Sequence, residues 1–295
     1  MRVTGSMQSM QLMNNLQKIN QSLTQGQNQL ATGQKITKPS DDPIGLGYQM
    51  RYDTDLARSD EFLSNTQTGG EILSTMDSLL QQSSDVLKRA RTLTLQAANG
   101  TYSAEQRLTI SAEIKQLKEQ LVTIGNSKYN GNYLFNGQKS DQAPYTSNGA
   151  ATDSTDTGVL YLYVSPAVKV PVSITGEEIF GGAGTNNAFK VLDDLAAALD
   201  SNNSAGISAS LSGIDAVADK LSVSWAEIGA RSNRFSLMET RITNEQVSLK
   251  EMRANVADVD VAQAITDLKS KELVLQSALS TGARIMQSSL LNFLN

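Results

Sequence analysis

The sequence contains no cysteine and no histidine among its 295 residues. This excludes disulfides, nucleophile–base pairs built on Cys or His, and zinc or iron–sulfur sites that use these ligands. Carboxylates are scattered along the predicted helices, and no pair of them is favoured for general acid and base catalysis. We therefore expect no catalytic residue, no metal site and no cofactor, and we predict that the protein is not an enzyme.

Aromatic residues make up only 5% of the chain and charged residues only 19%, less than the roughly 25% charge of average domains. No apolar run is long enough to predict a membrane span. With 25 Lys and Arg against 30 Asp and Glu, and no basic block, nucleic acid is an unfavourable partner. The polar stretch from Met1 to Leu16 lacks the apolar core of a cleavable signal peptide, so export would need another route.

What the sequence does contain is heptad spacing of apolar residues near both ends. Leu16, Leu23 and Leu30 lie seven residues apart, which predicts a helix with a narrow apolar seam. The C-terminal segment carries a matching seam. Its residues are Ile265, Leu268, Leu275, Leu279, Met286 and Phe293, with Leu290 beside it. Because so thin a seam stabilises a lone helix poorly, we predict that the two terminal helices pair.

The middle of the chain predicts longer helices and one β segment. A helical pattern runs from about Asp53 to Ala98, and Thr68-Gly69-Gly70 is the place where we expect it to bend or break. A second helical pattern spans roughly 50 residues and ends near Val256. Between them, Asn-Gly turn signals within 129–137 predict a hairpin, and alternating residues over 159–174 predict two further strands.

Several polar residues mark predicted helix starts. Ser103, with a glutamine three residues later, has the pattern of a capping box. Asp42 precedes a proline and is typical of an N-cap. Asp258 or Asp260 is expected to cap the last helix. A metal site at Asp41 and Asp42 would need more convergent carboxylates, so capping is the favoured interpretation.

These elements predict a mainly α fold, an elongated rod of long antiparallel helices that form a coiled coil from both termini, with a small inserted β domain. Residues 1–42 and 256–295 are predicted to form a terminal coiled-coil domain that is disordered in the monomer. Residues 43–139 and 186–255 are predicted to form an inner helical bundle that includes the hairpin. Residues 140–185 are predicted to form a surface β domain.

Several motifs, in order along the chain, resemble the flagellin family. They are Leu30 to Ile36 with the following Pro39 to Pro43, Leu93 to Thr101, Tyr133 to Gly137, and Gly229 to Arg234. The first four residues and the end from Gly282 onward are more similar to the branch of this family that lies between the flagellar hook and the filament. The resemblance covers both termini and the helical core.

The resemblance implies a structural adaptor that joins the hook to the flagellin filament outside the cell. It implies export through the flagellar type III system. The implied partners are the first hook–filament junction protein, flagellin, neighbouring copies of the chain in a ring, and an export chaperone that binds residues 255–295 before secretion. Neither nucleic acid nor a membrane is an expected partner.

Apolar residues of the terminal helices are the predicted subunit contacts. They are Leu16, Leu23, Leu30, Leu268, Leu275, Leu279, Met286, Leu290 and Phe293. Two other functions remain open at this point. The chain could be a flagellin, the self-polymerising subunit of the filament, which is a different role on the fold that the resemblance implies. It could also be an intracellular coiled-coil scaffold, which the helical seams alone permit.

Overall fold

A computed structural model describes the backbone of residues 5–184 and 187–294, and the side chains of residue 7, residues 9–184 and residues 187–284. Helices dominate the chain, and two short antiparallel hairpins lie between the third and fourth helices. The elements are α1 Gly5–Thr32, α2 Pro43–Ala98, α3 Ala104–Gly125, β1 Lys128–Tyr129, β2 Asn132–Tyr133, β3 Tyr161–Ser165, β4 Val168–Pro171, α4 Gly176–Phe180, α5 Ala188–Asp200, α6 Ser204–Ala257 and α7 Val261–Leu294. The predicted fold class, mainly α with long helices from both ends and an inserted β segment, is confirmed.

The chain divides into two compact units. The terminal unit comprises residues 1–58 and 245–295, and the central unit comprises residues 59–244. The terminal unit therefore holds α1, α7, the first residues of α2 and the last residues of α6. The boundaries predicted from sequence, after residue 42 and before residue 256, remain predictions about independent domains.

Helix starts follow the capping rules that the sequence indicated. The Ser103 side chain accepts a hydrogen bond from the Gln106 N–H, and the Gln106 side chain accepts one from the Ser103 N–H, so the capping box of α3 is complete. At α7 it is Asp260, and not Asp258, whose Oδ1 accepts from the N–H groups of Ala262 and Gln263. These bonds satisfy N–H groups that a helix start otherwise leaves without partners.

Helix α2 continues through Thr68-Gly69-Gly70, where we expected a bend or break. The reason for a glycine here is packing. A Cβ placed on Gly69 would overlap the buried ring of Phe235 on α6, lying 2.7 Å from its Cζ atom. Gly69 thus lets the two helices of the central unit approach closely at Phe235.

The predicted hairpin and the two further predicted strands both form, and the two strands pair as a second hairpin. In the first, Asn130 and Gly131 connect β1 and β2 with φ values of 49° and 85°, as a tight turn with two left-handed residues requires. In the second, β3 pairs antiparallel with β4, and the register sets Leu162 opposite Val170. Strand β3 ends at Ser165, and residues 166–167 form the turn that leads to β4.

The segment 140–185 contributes buried side chains to the core of the central unit. Tyr145 and Phe180 pack edge to face with ring centroids 5.9 Å apart, and the Tyr145 and Phe189 centroids are 4.7 Å apart. Val164 and Ile174 are also buried in this core. The boundaries of a surface β domain at 140–185 stay a prediction. The buried apolar residues of this segment share one core with the helices around them.

Tyr145 is a buried tyrosine of this core. Only 3% of the residue is exposed, and its hydroxyl has no hydrogen-bond partner among the described residues. Burial, helped by the charges of Glu177 and Asp153, raises the pKa of the Tyr145 phenol. Since an unpaired buried hydroxyl costs about 1–3 kcal/mol, we expect Tyr145→Phe to leave the free energy of unfolding unchanged or to raise it by about 1 kcal/mol. Urea denaturation measures this, and a loss of stability would contradict it.

Candidate subunit interface on the terminal helices

Helices α1 and α7 pack along each other in the terminal unit. The start of α1 lies beside the later part of α7, since a Cβ on Gly282 would lie 2.7 Å from Leu12 Cδ2. The end of α1 lies beside the earlier part of α7, since a Cβ on Gly26 would lie 3.4 Å from Leu268 Cδ1. The pair is therefore antiparallel, as the matching seams predict, and glycines on both helices allow the close approach.

The predicted contact residues divide into three groups. Leu16, Leu23, Leu30, Leu268 and Leu275 are half-buried. Leu279 remains 54% exposed in the described chain. The side chains of Met286, Leu290 and Phe293 lie outside the described residues. The half-buried group follows the seam through which α1 and α7 meet, so the exposed Leu279 is the member of the set most available to another molecule.

Heptad analysis missed further exposed apolar side chains on the same two helices. On α7, Val261 and Val274 are half or more exposed, and Leu273 is still more so. On α1, methionines occupy three exposed positions close to the start of the helix, at 7, 10 and 13. Except for Val261, which lies seven residues before Leu268, these residues lie outside the predicted seam. The signal that could have found them is an apolar residue on an otherwise polar helix face.

A short joint ties the end of α1 to the end of α6. Gly33 ends α1 with φ +69°, a left-handed conformation that favours glycine. The N–H of Lys35 then donates to the Ala257 carbonyl over 2.7 Å, and the N–H of Val259 donates to the Gly33 carbonyl over 3.0 Å. Ile36 and Ala257 are buried here. The motif from Leu30 to Ile36 therefore joins the N-terminal segment to the C-terminal segment, at the ends of α1 and α6, through backbone hydrogen bonds.

The two aspartates that follow have separate structural roles. Asp42 Oδ1 accepts from the N–H of Gly45 over 2.9 Å, which confirms it as the cap of α2. Asp41 Oδ2 accepts from the Thr37 hydroxyl and N–H and from the Lys38 N–H, at 2.9 to 3.1 Å. Within residues 5–184 and 187–294 no group of three or more acidic residues could hold a metal ion.

Asp41 gives the loop over residues 37–41 a pH dependence. The hydrogen bond from the Thr37 side chain, with those from the backbone N–H groups of Lys38 and Thr37, lowers the pKa of its carboxyl below the usual 3.8. A lowered pKa means that these bonds stabilise the folded loop fully above that value and are lost as pH falls through the folded pKa. We expect the Thr37 and Lys38 amide resonances to shift in NMR spectra at a pH below 3.8. The Asp41→Asn variant should lack this titration, and a midpoint above 3.8 would contradict the assignment.

One ion-paired cation sits close to this joint. Arg253 Nε lies 2.5 Å from Asp53 Oδ1, and Arg253 Nη1 lies 3.7 Å from Asp258 Oδ1. All three residues belong to the terminal unit. Arg253 thereby connects the beginning of α2 with the residue that follows α6.

No helix in the described ranges combines the length and apolarity needed to cross a bilayer. The apolar residues of α1 and α7 instead form narrow seams and a few further exposed positions. The pairing of α1 with α7, the long helices α2 and α6, and the small β segment that lies between α3 and α4 in the sequence define a helical structural protein.

Family comparison gives this class a name. The N-terminal helical region of bacterial flagellin matches residues 3–140, and the C-terminal helical region of bacterial flagellin matches residues 211–294. Together the two regions account for about three quarters of the chain. The chain belongs to the flagellin family and is a flagellin-like structural protein of the bacterial flagellum.

Individual relatives come from two branches of this family. Flagellin of Listeria innocua is 26% identical over 281 residues, which are 95% of this chain and 94% of that protein. Flagellar hook-associated protein 3 of Salmonella typhimurium is 24% identical over 276 residues, 86% of this chain and 87% of that protein. The solved structure of a flagellar hook-associated protein from Vibrio parahaemolyticus is 25% identical, with a TM-score of 0.69, and the match covers 74% of this chain and all of that one.

Proposed function

We propose that the protein is a structural adaptor at the junction between the flagellar hook and the filament. The observation that carries this proposal is the structural match to the Vibrio hook-associated protein, which extends over the whole of that chain. The similarity to hook-associated protein 3 of Salmonella supports it. The role is one of binding other subunits rather than of catalysis.

The adaptor has three kinds of neighbour in this proposal. One end of a ring of copies binds the first junction protein on the hook, and the other end receives the first flagellin subunits. Neighbouring copies contact each other within the ring. The chain leaves the cell through the flagellar type III system, and before export a chaperone holds residues 255–295. Neither nucleic acid nor a membrane takes part.

The terminal helices provide the proposed subunit contacts. In the described chain, the seam leucines at 16, 23, 30, 268 and 275 are half-buried, which leaves part of each surface for a neighbour. Leu279 contributes more, because over half of it is exposed. Met286 and Phe293 extend the same seam by their heptad positions, and Leu290 lies beside it. We propose that α1 and α7 become fully ordered when they dock in the assembly, since thin seams stabilise an isolated pair only weakly.

A second candidate function is that of a flagellin, the filament subunit itself. It is favoured by the 26% identity to Listeria flagellin over 95% of this chain. The two candidates share the fold and differ in self-assembly, since a filament subunit polymerises alone and an adaptor forms only a limited ring. Self-assembly of the purified chain therefore separates them.

The experiment uses the full-length purified chain in concentrated ammonium sulfate, seeded with short filament fragments, beside flagellin of the same bacterium. We expect flagellin to form sedimenting filaments and the chain to stay in the supernatant. Filaments of the chain alone, seen by electron microscopy in the pellet, would overturn the adaptor proposal in favour of the flagellin candidate.

A further inference from the structure

Methionine carries the most easily oxidised side chain of this cysteine-free protein. Three of its methionines lie close together at the beginning of α1. Met7 is 60% exposed, Met10 is 66% exposed and Met13 is 68% exposed. Their spacing of three residues brings consecutive members of the set close together along the helix surface.

The same helix keeps its contacts with α7 through other residues. Leu12 packs at Gly282 of α7, and Leu16 and Ile19 are half-buried. The three methionines do not share this burial. A chemical change at their sulfur atoms therefore alters the outer surface of α1 and leaves the surface that pairs with α7 in place.

Other methionines provide references within the same chain. Met76 is 1% exposed in the core of the central unit, and Met238 is half-buried against that core. Met50 and Met252 are exposed but lie on α2 and α6. Met76 is therefore a protected reference, and Met50 and Met252 are exposed references on other helices, for comparison with the three exposed methionines of α1.

We propose that Met7, Met10 and Met13 form an oxidation site at which hypohalous acids or peroxides switch off docking of the terminal helices. This inference rests on the proposed function, because the docking partner is the flagellar assembly. With hypochlorous acid, each thioether sulfur gains one S–O bond and gives up two electrons. The O–Cl bond breaks, chlorine takes the two electrons and leaves as chloride, and the proton of the acid is released.

The physical effect is a change in polarity without a loss of fold. A sulfoxide replaces an apolar, adaptable thioether by a strongly polar group, which disrupts methionine-rich interfaces. A sulfoxide on an exposed side chain remains hydrated in the free chain, so it costs the monomer little. When a neighbouring subunit covers the surface, each sulfoxide must lose water, and docking weakens.

The chemical part is tested on purified full-length chain treated with a substoichiometric amount of hypochlorous acid, followed by peptide mass spectrometry. We expect Met7, Met10 and Met13 to be oxidised at least about tenfold faster than Met76, because oxidation follows exposure. In urea the difference should disappear. Equal rates in the folded chain would overturn the inference, whatever the protein's function is.

The functional part uses hook-bearing cells that lack this gene, purified flagellin, and externally added chain. Untreated wild-type chain should restore filaments, and chain oxidised at the three positions should restore at least about tenfold fewer, in line with a disrupted methionine-rich surface. The triple variant M7L/M10L/M13L keeps an apolar surface without oxidisable sulfur, so it should remain active after the same treatment. The double variant M50L/M252L is the matched control and should stay sensitive.

The outcomes separate the two proposals. Failure of the untreated chain to restore filaments contradicts the proposed function. Full activity of the oxidised wild-type chain contradicts the proposed oxidation site and leaves the proposed function in place. Circular dichroism of the oxidised chain should match that of the untreated chain, and recovery of activity by methionine sulfoxide reductases should follow, since these enzymes reduce the sulfoxide. Loss of helix on oxidation would show damage to the fold instead and would also overturn the inference.

Discussion

Leu279→Asp is expected to abolish filament attachment while the protein itself stays folded. Leu279 is exposed on α7, so a carboxylate there remains in water in the free chain and changes stability by about 0.5 kcal/mol or less. In an assembly that buries this position, the same carboxylate would lose its hydration without a partner, which is strongly unfavourable. Complementation of a strain lacking the gene should therefore give cells that secrete the variant and have hooks without filaments.

Ser277→Asp is the matched control for this experiment. Ser277 is also exposed on α7, two residues away, and the substitution adds the same charge to the same turn of the helix. It lies about 160° around the helix from Leu279 at 100° per residue. We expect Ser277→Asp to support filaments. Normal filaments with Leu279→Asp, or equal loss with both variants, would contradict the assignment of Leu279 as a subunit contact.

The largest expected effect on stability concerns Phe235, where α6 meets α2. Phe235 is buried at 2% exposure, and truncation of a buried phenylalanine to alanine costs about 3–5 kcal/mol. Gly69→Ala forces a methyl group into the same ring. Overpacking costs about 1–3 kcal/mol, and the higher helix propensity of alanine offsets up to about 1 kcal/mol of this cost. We therefore expect the free energy of unfolding to fall by about 1–2 kcal/mol.

The neighbouring glycine is the control. A Cβ on Gly70 meets no described atom within 4 Å, so Gly70→Ala should stabilise α2 by up to about 1 kcal/mol. In the Phe235→Ala background the ring is gone, and Gly69→Ala should then stabilise as well. Thermal unfolding followed through Trp225, whose Nε1 donates to Asp77 over 2.6 Å, measures all four variants. Additive effects of Gly69→Ala and Phe235→Ala would contradict the contact.

Local patterns predicted much of this fold, because they act over a few residues. The capping box at Ser103 needs only a partner three residues away, and the Asn130-Gly131 turn needs only two residues that tolerate positive φ. The heptad seams predicted the α1 and α7 pair for a similar reason, since each helix exposes an apolar stripe that requires cover.

Features that depend on distant residues were not predictable in the same way. Gly69 looked like a break in a helix, and only its proximity to Phe235 explains it as a packing residue. The hydrogen bond between Lys35 and Ala257 joins positions far apart in the sequence through backbone atoms, which leave no side-chain signal. The Tyr145 ring packs against Phe180 and Phe189 from two different helices. That its hydroxyl has no partner among the described residues is likewise visible only in three dimensions.

The candidate site was predicted in its residue class and only partly in its geometry. Seam periodicity located Leu16, Leu23 and Leu275 on paired helices, but it could not separate side chains that contact the partner helix from those that remain free. Exposure makes that distinction and favours Leu279 together with Met10 and its neighbours. Apolar residues that stay exposed beside the paired helices are thus the more informative candidates for contacts between subunits.

Deletion of the gene, followed by electron microscopy of the hooks and assay of flagellin in the medium, tests the adaptor role most directly. An adaptor that joins the hook to the filament predicts intact hooks without filaments and flagellin monomer lost into the medium, both reversed by the wild-type gene. Hooks that still carry filaments of normal length after deletion would contradict the account.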